Sequence, residues 1–286
     1  MPILELNFAM VLMGTSGAFG RYLDLPAELS IAIRCLMGAV FLGLFCRIKG
    51  VSFQLNSRKD LINLIFISML ILFHWITYFI SLQKSTVAIA MLSLFTFPIF
   101  TTFLEPLFYK TRLQPIHILM ALLTLTGIAL LAPSFDLRND HLQGILWGLV
   151  SALGYSLRNL FVKRQVGTYS GMTLMFYQLL FGGLLLSPLL FFYDLGPAME
   201  QWLPLAGLSL IPTAIGHTMF VITLRHFTVT SMSIMSTIQP IYGILIGMVF
   251  LGEVPGFRAI AGGALILMTV VLESARNAGR VKATQK

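Results

Sequence analysis

Two stretches decide the fold of this chain: Thr86–Pro98, TVAIAMLSLFTFP, and Thr228–Pro240, TVTSMSIMSTIQP. Each begins with Thr-Val and ends on a proline, and the second follows the first at an offset of 142 residues. Both prolines lie inside apolar runs long enough to cross a bilayer. The pattern predicts a duplicated membrane unit with a proline at mid-depth, and broken membrane helices of this kind are tolerated where they face a cavity.

The composition is that of an integral membrane protein. Of the 286 residues, 57% are hydrophobic and only 10% are charged, and the mean hydropathy is +0.87. A soluble globular protein needs more charge to cover its surface, and a disordered chain needs lower hydrophobicity. The net charge of +8 is explained by the positions of the basic residues, so we expect no nucleic-acid partner.

The apolar runs predict an all-α fold of ten membrane-spanning helices. A span needs about 20 largely apolar residues, and the first run is interpreted as a retained span because it lacks a basic leader and a cleavage site. The segments between the spans are too short for a soluble domain. The predicted spans are 4–20, 27–46, 61–80, 85–108, 114–132, 142–162, 171–192, 202–223, 229–250 and 257–273.

The basic residues in the loops predict the orientation of the chain. With the N-terminus in the cytoplasm, 13 lysines and arginines fall on the cytoplasmic side: Arg47, Lys49, Arg58, Lys59, Lys110, Arg112, Lys163, Arg164, Arg225, Arg276, Arg280, Lys282 and Lys286. The opposite side carries four: Arg21, Lys84, Arg138 and Arg258. This asymmetry predicts a multi-pass protein with both termini in the cytoplasm.

The two halves are predicted to be inverted repeats. Each half has five spans, and an odd number makes the second half enter the membrane from the opposite side. Residues 1–140 form the first repeat, 141–274 the second, and 275–286 a basic cytoplasmic tail. Three further pairs keep this order at offsets of 142, 143 and 144 residues: Arg21 and Lys163, His74 and His217, and Arg34 and Gln178.

Pro98 and Pro240 have two open interpretations. A proline removes one backbone donor and clashes with the carbonyl four residues earlier. A single proline of this kind is compatible with a simple packing kink. Two at equivalent depth favour helices that bend around a central cavity, which is the arrangement of a transporter site.

Polar and aromatic residues near these bends are the candidate substrate-binding residues. A buried amide such as Gln239 has several groups to satisfy, so it should face the bundle interior. Trp75 and Tyr78 share one helix face and suit a flat substrate group. The competing interpretations are helix–helix hydrogen bonds, back-bonded hydroxyls and an interfacial aromatic belt. The candidates are His74, Trp75, Tyr78, Thr96, Tyr155, His217, Gln239 and Tyr242.

Charge placement narrows the expected cargo. Arg34 lies deep in an apolar run and needs a partner, which is either a substrate carboxylate or the carbonyls of neighbouring helices. Arg158 lies nearer a span end and is expected to snorkel. No carboxylate falls near a span centre, which argues against cation export and favours neutral, zwitterionic or anionic solutes. The histidines lack metal-ligand spacing, so we expect no metal and no cofactor.

Several motifs together make the chain resemble the EamA-type, ten-span transporters of the drug/metabolite transporter superfamily. They are Arg34, His74-Trp75, the run 86–90 leading to Phe97-Pro98, the run 212–217, Gln239-Pro240 and Leu251-Gly252-Glu253. The resemblance covers nearly the whole chain.

The resemblance implies alternating access in a bacterial inner membrane, with spans one, three, four, six, eight and nine along the path. One departure concerns the glutamate that members carry just after span four. Here the positions that match Glu253 are Lys110, Thr111 or Arg112.

The predicted function is secondary transport, with export of a small metabolite such as an amino acid. Drugs or nucleotide-related compounds are the alternative cargo, because the fold does not name a substrate. An intramembrane enzyme would need a nucleophile–base pair or an acid cluster at one depth, and neither is found, so we expect no enzyme. A non-transporting membrane scaffold is the remaining alternative. The expected partners are a small-molecule substrate and the lipid bilayer, for a monomer or a homodimer.

Overall fold

The computed structural model describes the backbone of residues 2–109, 115–132 and 136–284, and in these ranges the regular structure is helical. The first half contains six α-helices. They are α1 Pro2–Tyr22, α2 Ala27–Ile48, α3 Arg58–Lys84, α4 Val87–Leu94, α5 Phe97–Phe108 and α6 Pro115–Leu131. Lys110, Thr111 and Arg112 lie outside the described residues, as do the side chains of the predicted basic tail, 275–286.

The second half contains eight α-helices and three segments of tighter or wider helix. The α-helices are α7 Asp140–Gln165, α8 Gly171–Leu186, α9 Gly196–Glu200, α10 Trp202–Leu208, α11 Thr218–Leu224, α12 Val229–Met235, α13 Gln239–Leu251 and α14 Phe257–Thr284. The others are two 3₁₀ segments, Ser187–Phe191 and Ser236–Ile238, and a π-helix, Ser209–His217.

The prediction of an all-α membrane protein is confirmed. Eight helical segments of the described chain are long and apolar enough to cross a membrane, and two shorter apolar helices, Ile118–Leu131 and Phe257–Thr269, correspond to the fifth and tenth predicted spans. Large apolar side chains point outward along the bundle, among them Leu107, Val249 and Phe250, each at least 77% exposed. Such a surface suits lipid rather than water.

Contacts between loops divide the ends of the helices into two faces. The N-terminal face gathers the loops 49–57 and 166–170, because the Tyr169 hydroxyl accepts from the Asn56 N–H and donates to Asp60. The distal face gathers the ends of α1, α3 and α13, since Gln83 donates to the Leu25 carbonyl and Arg21 pairs with Glu253. The α2–α3 and α7–α8 loops therefore lie at the opposite end of the bundle from the α1–α2 loop and the ends of α3 and α13.

The repeated Thr-Val pair marks two helix starts. Thr86 is the N-cap of α4 and its hydroxyl accepts from the Ile89 N–H, while the Thr228 hydroxyl accepts from the Ser231 N–H at the start of α12. A threonine in this position satisfies a backbone donor that the first helical turn leaves free. The shared phrase is thus a shared helix-capping signal.

The prolines that end the two phrases coincide with helix breaks. The first break separates α4 from α5 at Phe95 and Thr96, and Pro98 occupies the first turn of α5. The second is the 3₁₀ segment before α13, whose first turn contains Pro240. Proline is well tolerated there because the first helical N–H groups have no intrahelical acceptor. Each broken segment therefore has its irregular turn within the bundle.

Two packing units build the bundle. The larger core joins α1, α2, α3, α7 and α8 with the π-helix and α13. To one side, α6 packs on α14 at a close contact, where a Cβ on Gly262 would lie 2.5 Å from the Gly127 carbonyl oxygen. A hydrogen bond between the Thr124 and Thr269 hydroxyls adds to this pair. The larger core surrounds the candidate site.

Candidate functional site

A small cavity lies within the larger core. Its volume is about 20 Å³, which is room for about one water molecule. Pockets that hold small molecules are typically about 300–1,000 Å³. In this conformation the lining side chains therefore pack against one another and leave no room for such a molecule. The lining residues come from the six spans that the family resemblance implies. They are Met13, Ser16, His74, Trp75, Tyr78, Leu94, Phe95, Tyr155, His217 and Gln239.

Helix α3 supplies three of the predicted residues to this cavity. His74, Trp75 and Tyr78 lie on one face because residues three and four apart are neighbours on a helix. All three side chains are buried.

His74 is held in place by Ser151 on α7. The Ser151 hydroxyl donates to the His74 carbonyl at 2.8 Å, and His74 Nδ1 lies 2.8 Å from the same hydroxyl oxygen. Because the hydroxyl proton is used on the carbonyl, Nδ1 is assigned as the protonated nitrogen, which leaves Nε2 as an acceptor.

Aromatic contacts bring the two histidines of the repeat together. The His74 ring stacks on Tyr155 with centroids 4.4 Å apart, and the His217 ring meets Trp75 edge-on at 5.2 Å. Tyr155 and His217 are 6.5 Å apart. Aromatic side chains from both halves of the chain therefore pack against one another around the cavity.

Several buried polar atoms around this cavity have no hydrogen-bond partner among the residues that the structure describes. They are Trp75 Nε1, the Tyr78 hydroxyl and His217 Nδ1. A buried donor or acceptor left unpaired costs about 1–3 kcal/mol. Most such groups in folded proteins are paired, so a group of them at one cavity calls for an explanation.

The π-helix is explained by the pair Pro212-Thr213. Pro212 has no N–H, so the usual bond to the carbonyl of Leu208, four residues earlier, cannot form. In a π-helix a carbonyl accepts from the backbone N–H of the residue five positions later. Thr213 is five positions after Leu208, and its side-chain hydroxyl donates to the Leu208 carbonyl at 2.6 Å. The wide turn places the Thr213 oxygen inside the core.

Arg34 is fixed by this turn. Its Nε donates to the Thr213 hydroxyl at 2.6 Å, and its guanidinium carbon lies 4.0 Å from the centroid of the Trp75 ring. The side chain is fully buried. Its two terminal nitrogens have no acceptor in the described part of the chain. The expected alternative of a bridge to helix carbonyls is therefore not what this conformation shows.

Arg158 does not snorkel. It is fully buried, because Gln178 on α8 accepts from its Nε at 2.8 Å and Asn159 accepts from its Nη1 at 2.9 Å. Its Nη2 lies 3.7 Å from the Met175 sulfur. Neutral groups inside the bundle contact all three nitrogens of the guanidinium, so the side chain stays within the bundle instead of reaching the interface.

The other predicted residues differ in their positions. Gln239 lines the cavity. The Thr96 hydroxyl is buried but donates to the Ser93 carbonyl at the helix break. Tyr242 is half-buried and packs against Gly14 of α1, so it lies outside the lining.

Four lining residues were not among the predicted ones: Met13, Ser16, Leu94 and Phe95. Ser16 stands in a polar, glycine-containing stretch of α1, which is a usable signal in the sequence. Leu94 and Phe95 precede Pro98 at the break, where the chain turns them inward. Met13 gives no signal, because an apolar residue in a span is the expectation everywhere.

On the distal face, a wide vestibule of about 730 Å³ contains an ion pair. Arg21 at the end of α1 donates to Glu253 at 2.9 Å, and the second oxygen of Glu253 accepts from the Val87 N–H at 2.8 Å. Glu253, which follows α13, therefore holds the start of α4.

On the N-terminal face the arrangement is reversed. There a glutamate of the first broken segment, α4–α5, contacts the start of the second, α12–α13. Glu105 of α5 accepts a hydrogen bond from the Thr230 hydroxyl at the start of α12. Lys163 at the end of α7 donates to the carbonyls of Leu224 and Phe227 and lies within electrostatic reach of Glu105. Glu105 therefore contacts the start of the second broken segment, just as Glu253 contacts the start of the first. Unlike Glu253, which follows span nine, Glu105 lies inside span four.

The cavity offers stacking surfaces and hydrogen-bonding groups, without the ligands of a metal site. In the ranges that the structure covers, no three His, Cys, Asp or Glu side chains form a group that could hold a metal ion.

Three curated proteins are similar to the chain. It is 25% identical to the uncharacterized transporter YxxF of Bacillus subtilis, with 99% of this chain and 92% of that protein covered. It is 26% identical to the uncharacterized inner membrane transporter YicL of Salmonella typhimurium, with 98% and 97% covered. It is also 26% identical to a probable terminal-alkyne amino-acid exporter of Streptantibioticus cattleyicolor, with 64% and 62% covered.

A solved crystal structure shares the fold, with a TM-score of 0.70 over 96% of both chains and 19% sequence identity. The sequence profile of the EamA-like transporter family matches residues 3–132 and again residues 142–274. The two matches together cover most of the chain. This protein therefore belongs to the EamA-like transporter family.

Proposed function

We propose that this membrane transporter exports a small metabolite, most simply an amino acid, by alternating access through the central cavity. In this proposal the halves 1–140 and 141–274 are inverted repeats that rock against each other. Both termini lie in the cytoplasm, and the protein resides in the inner membrane.

The observation that carries the proposal is the set of buried polar groups without hydrogen-bond partners around the small cavity. Trp75 Nε1, the Tyr78 hydroxyl and His217 Nδ1 lack partners among the described residues, although each lies in the lining. Such groups are costly in a permanent structure. They are accounted for if the cavity opens and a polar solute supplies their partners for part of a cycle.

The two ends of the bundle support a cycle in which one side opens at a time. The Arg21–Glu253 pair joins α1 to the segment after α13 on the distal face, and Glu105 joins α5 to α12 on the N-terminal face. Because each contact links a broken segment to another element, releasing one contact would free one end only.

An amino acid suits the lining for two reasons. The indole of Trp75 and the rings of Tyr78 and Tyr155 provide stacking surfaces, while His74 Nε2 and the Gln239 carbonyl oxygen are acceptors for an ammonium group. The relative from Streptantibioticus cattleyicolor carries the name of an amino-acid exporter. Drugs or nucleotide-related compounds remain the alternative cargo.

Counterflow in proteoliposomes tests the proposal. Purified protein is reconstituted and loaded with unlabelled metabolites, and uptake of labelled amino acids, nucleosides and cationic drugs is measured with and without a pH gradient. The wild type should accumulate at least one solute. Gln239→Ala should lower that rate about 10-fold, the effect of losing one buried hydrogen bond to the solute. Gln54→Ala, in an exposed loop, is the matched control and should be unaffected.

Two results would contradict the proposal. If no labelled solute enters above the protein-free vesicles, the protein does not transport and a scaffold role gains support. If a solute is transported and Gln239→Ala equals the wild type, transport does not use this cavity.

A further inference from the structure

The interior of the bundle carries two positive charges that described residues do not neutralise. Arg34 has one neutral hydroxyl partner, and Arg158 has an amide, a second amide and a thioether. Among the side chains that the structure describes, Arg21–Glu253 and Lys84–Asp140 form ion pairs, and both lie on the distal face. A buried arginine without a counter-charge is unusual, because burial removes the water that would otherwise stabilise it.

The geometry of Arg34 leaves its hydrogen-bonding edge free. The Trp75 ring covers one face of the guanidinium, and Thr213 occupies Nε. Stacking on an aromatic ring leaves the in-plane N–H groups available, and these form a rigid fork that matches a carboxylate. Both terminal nitrogens lack an acceptor among the described residues.

The two arginines act on the cavity from different helices. Arg34 lies on α2 and Arg158 on α7, and both exert an electrostatic influence on His74 and on His217, which line the cavity. In a low-dielectric interior such charges are weakly screened. The cavity is therefore a region of positive potential, which disfavours cations and favours anionic groups.

We propose that the transported solute carries a carboxylate, and that Arg34 binds it as a bidentate partner when the cavity opens around Trp75. This inference rests on the proposed transport function and adds the chemical class of the solute. Trp75 both lines the cavity and covers Arg34, so a shift of its ring connects the solute space with the guanidinium. Arg158 adds positive potential without lining the cavity, and its guanidinium contacts Gln178, Asn159 and Met175 instead.

The test compares solutes that differ only in charge. Wild-type proteoliposomes receive labelled phenylalanine, phenylpropionate, phenylalaninamide and phenylpropanamide at mildly acidic pH, and the same four forms of any other skeleton that wild type transports. The proposal predicts that both carboxylates exceed the matching amides about 30-fold, the effect of removing one partner of a buried charge pair. This comparison needs no variant and cannot be lost to misfolding.

Variants of Arg34 then locate the effect. Arg34→Gln should remove the preference for the carboxylate over the amide, and Arg34→Lys should retain part of it, because a lysine keeps the charge without the fork. Arg47→Gln, at the exposed end of the same helix, is the control and should keep the wild-type preference.

The outcomes separate this inference from the transport proposal. Equal transport of carboxylate and amide, preference for the cationic amide, or an unchanged preference in a folded Arg34→Gln protein would overturn the inference while transport itself stands. If the wild type moves none of the solutes in the panel, the transport proposal fails and this inference fails with it.

Discussion

The hydroxyl of Thr213 is expected to hold the interior network together, so Thr213→Val should destabilise the protein strongly. Valine keeps the shape of threonine but loses both of its hydrogen bonds, one accepted from Arg34 and one donated to the Leu208 carbonyl. A hydrogen bond to a charged group contributes about 1.5–3 kcal/mol and a neutral one about 1 kcal/mol. The expected loss is therefore about 2.5–4 kcal/mol.

The matched control is Thr218→Val, five residues further along the same membrane segment. The Thr218 hydroxyl is buried and has no partner in the described part of the chain. Replacing it with a methyl group should be neutral or slightly stabilising, because an unpaired buried hydroxyl is itself unfavourable. Both substitutions replace a threonine hydroxyl with a methyl group, and only Thr213→Val removes hydrogen bonds that the structure shows.

Both variants can be ranked by thermal unfolding in detergent and by denaturant titration in mixed micelles. Thr213→Val should unfold at a clearly lower temperature than the wild type, whereas Thr218→Val should not. The reasoning is wrong if Thr213→Val is as stable as Thr218→Val. In that case neither the π-helix nor Arg34 depends on this hydroxyl.

Two further predictions concern the contacts of α13 and of the segment that follows it. Glu253→Gln should change the free energy of unfolding by less than about 1 kcal/mol, since exposed ion pairs contribute little. Glu253→Ala should cost about 1–2 kcal/mol, because the Val87 N–H also loses its acceptor. Equal melting temperatures for the two variants would contradict this prediction. Gly243→Ala should destabilise by about 1–3 kcal/mol, because its Cβ would lie 2.0 Å from the Met91 sulfur, while Gly167→Ala has open space and should be neutral. Unfolding in detergent checks both, and a stable Gly243→Ala would show that Met91 moves aside freely.

The sequence predicts the parts of the fold that depend on local chemistry. Thr86 and Thr228 were visible as a repeated phrase, and their physical role as helix caps follows from side-chain chemistry that any threonine carries. Pro98 and Pro240 predict helix breaks for the same reason. The length of the apolar runs then predicts which segments are long enough to cross a membrane.

The sequence did not predict the contacts that depend on tertiary structure. Arg34 and Thr213 are 179 residues apart, and no local pattern links them. The π-helix arises from how Thr213 replaces the missing donor of Pro212. The sequence predicts an interfacial Arg158, whereas in the structure its side chain bonds to Gln178 of α8 inside the bundle. In each case the partner comes from another helix, which one sequence does not reveal.

Most of the residues predicted for the candidate site lie at one cavity, and their role in substrate binding stays a prediction. His74 and His217 were paired by the repeat alone, and both line one cavity. Tyr242 was selected for its position after Pro240, but the turn of α13 directs it towards Gly14 of α1 instead. Helix rotation about its own axis decides such cases, and it is set by packing rather than by sequence position.

The central claim is that one cavity becomes accessible from both sides of the membrane in turn. A cysteine at Ser16, which lines the cavity and is 6% exposed, can be labelled with a membrane-impermeant thiol reagent added to either side. The native Cys35 and Cys46 are fully buried and serve as the background. Alternating access predicts labelling of Ser16→Cys from each side, with a transported solute slowing both reactions. Labelling from one side only, or from neither, would contradict the account.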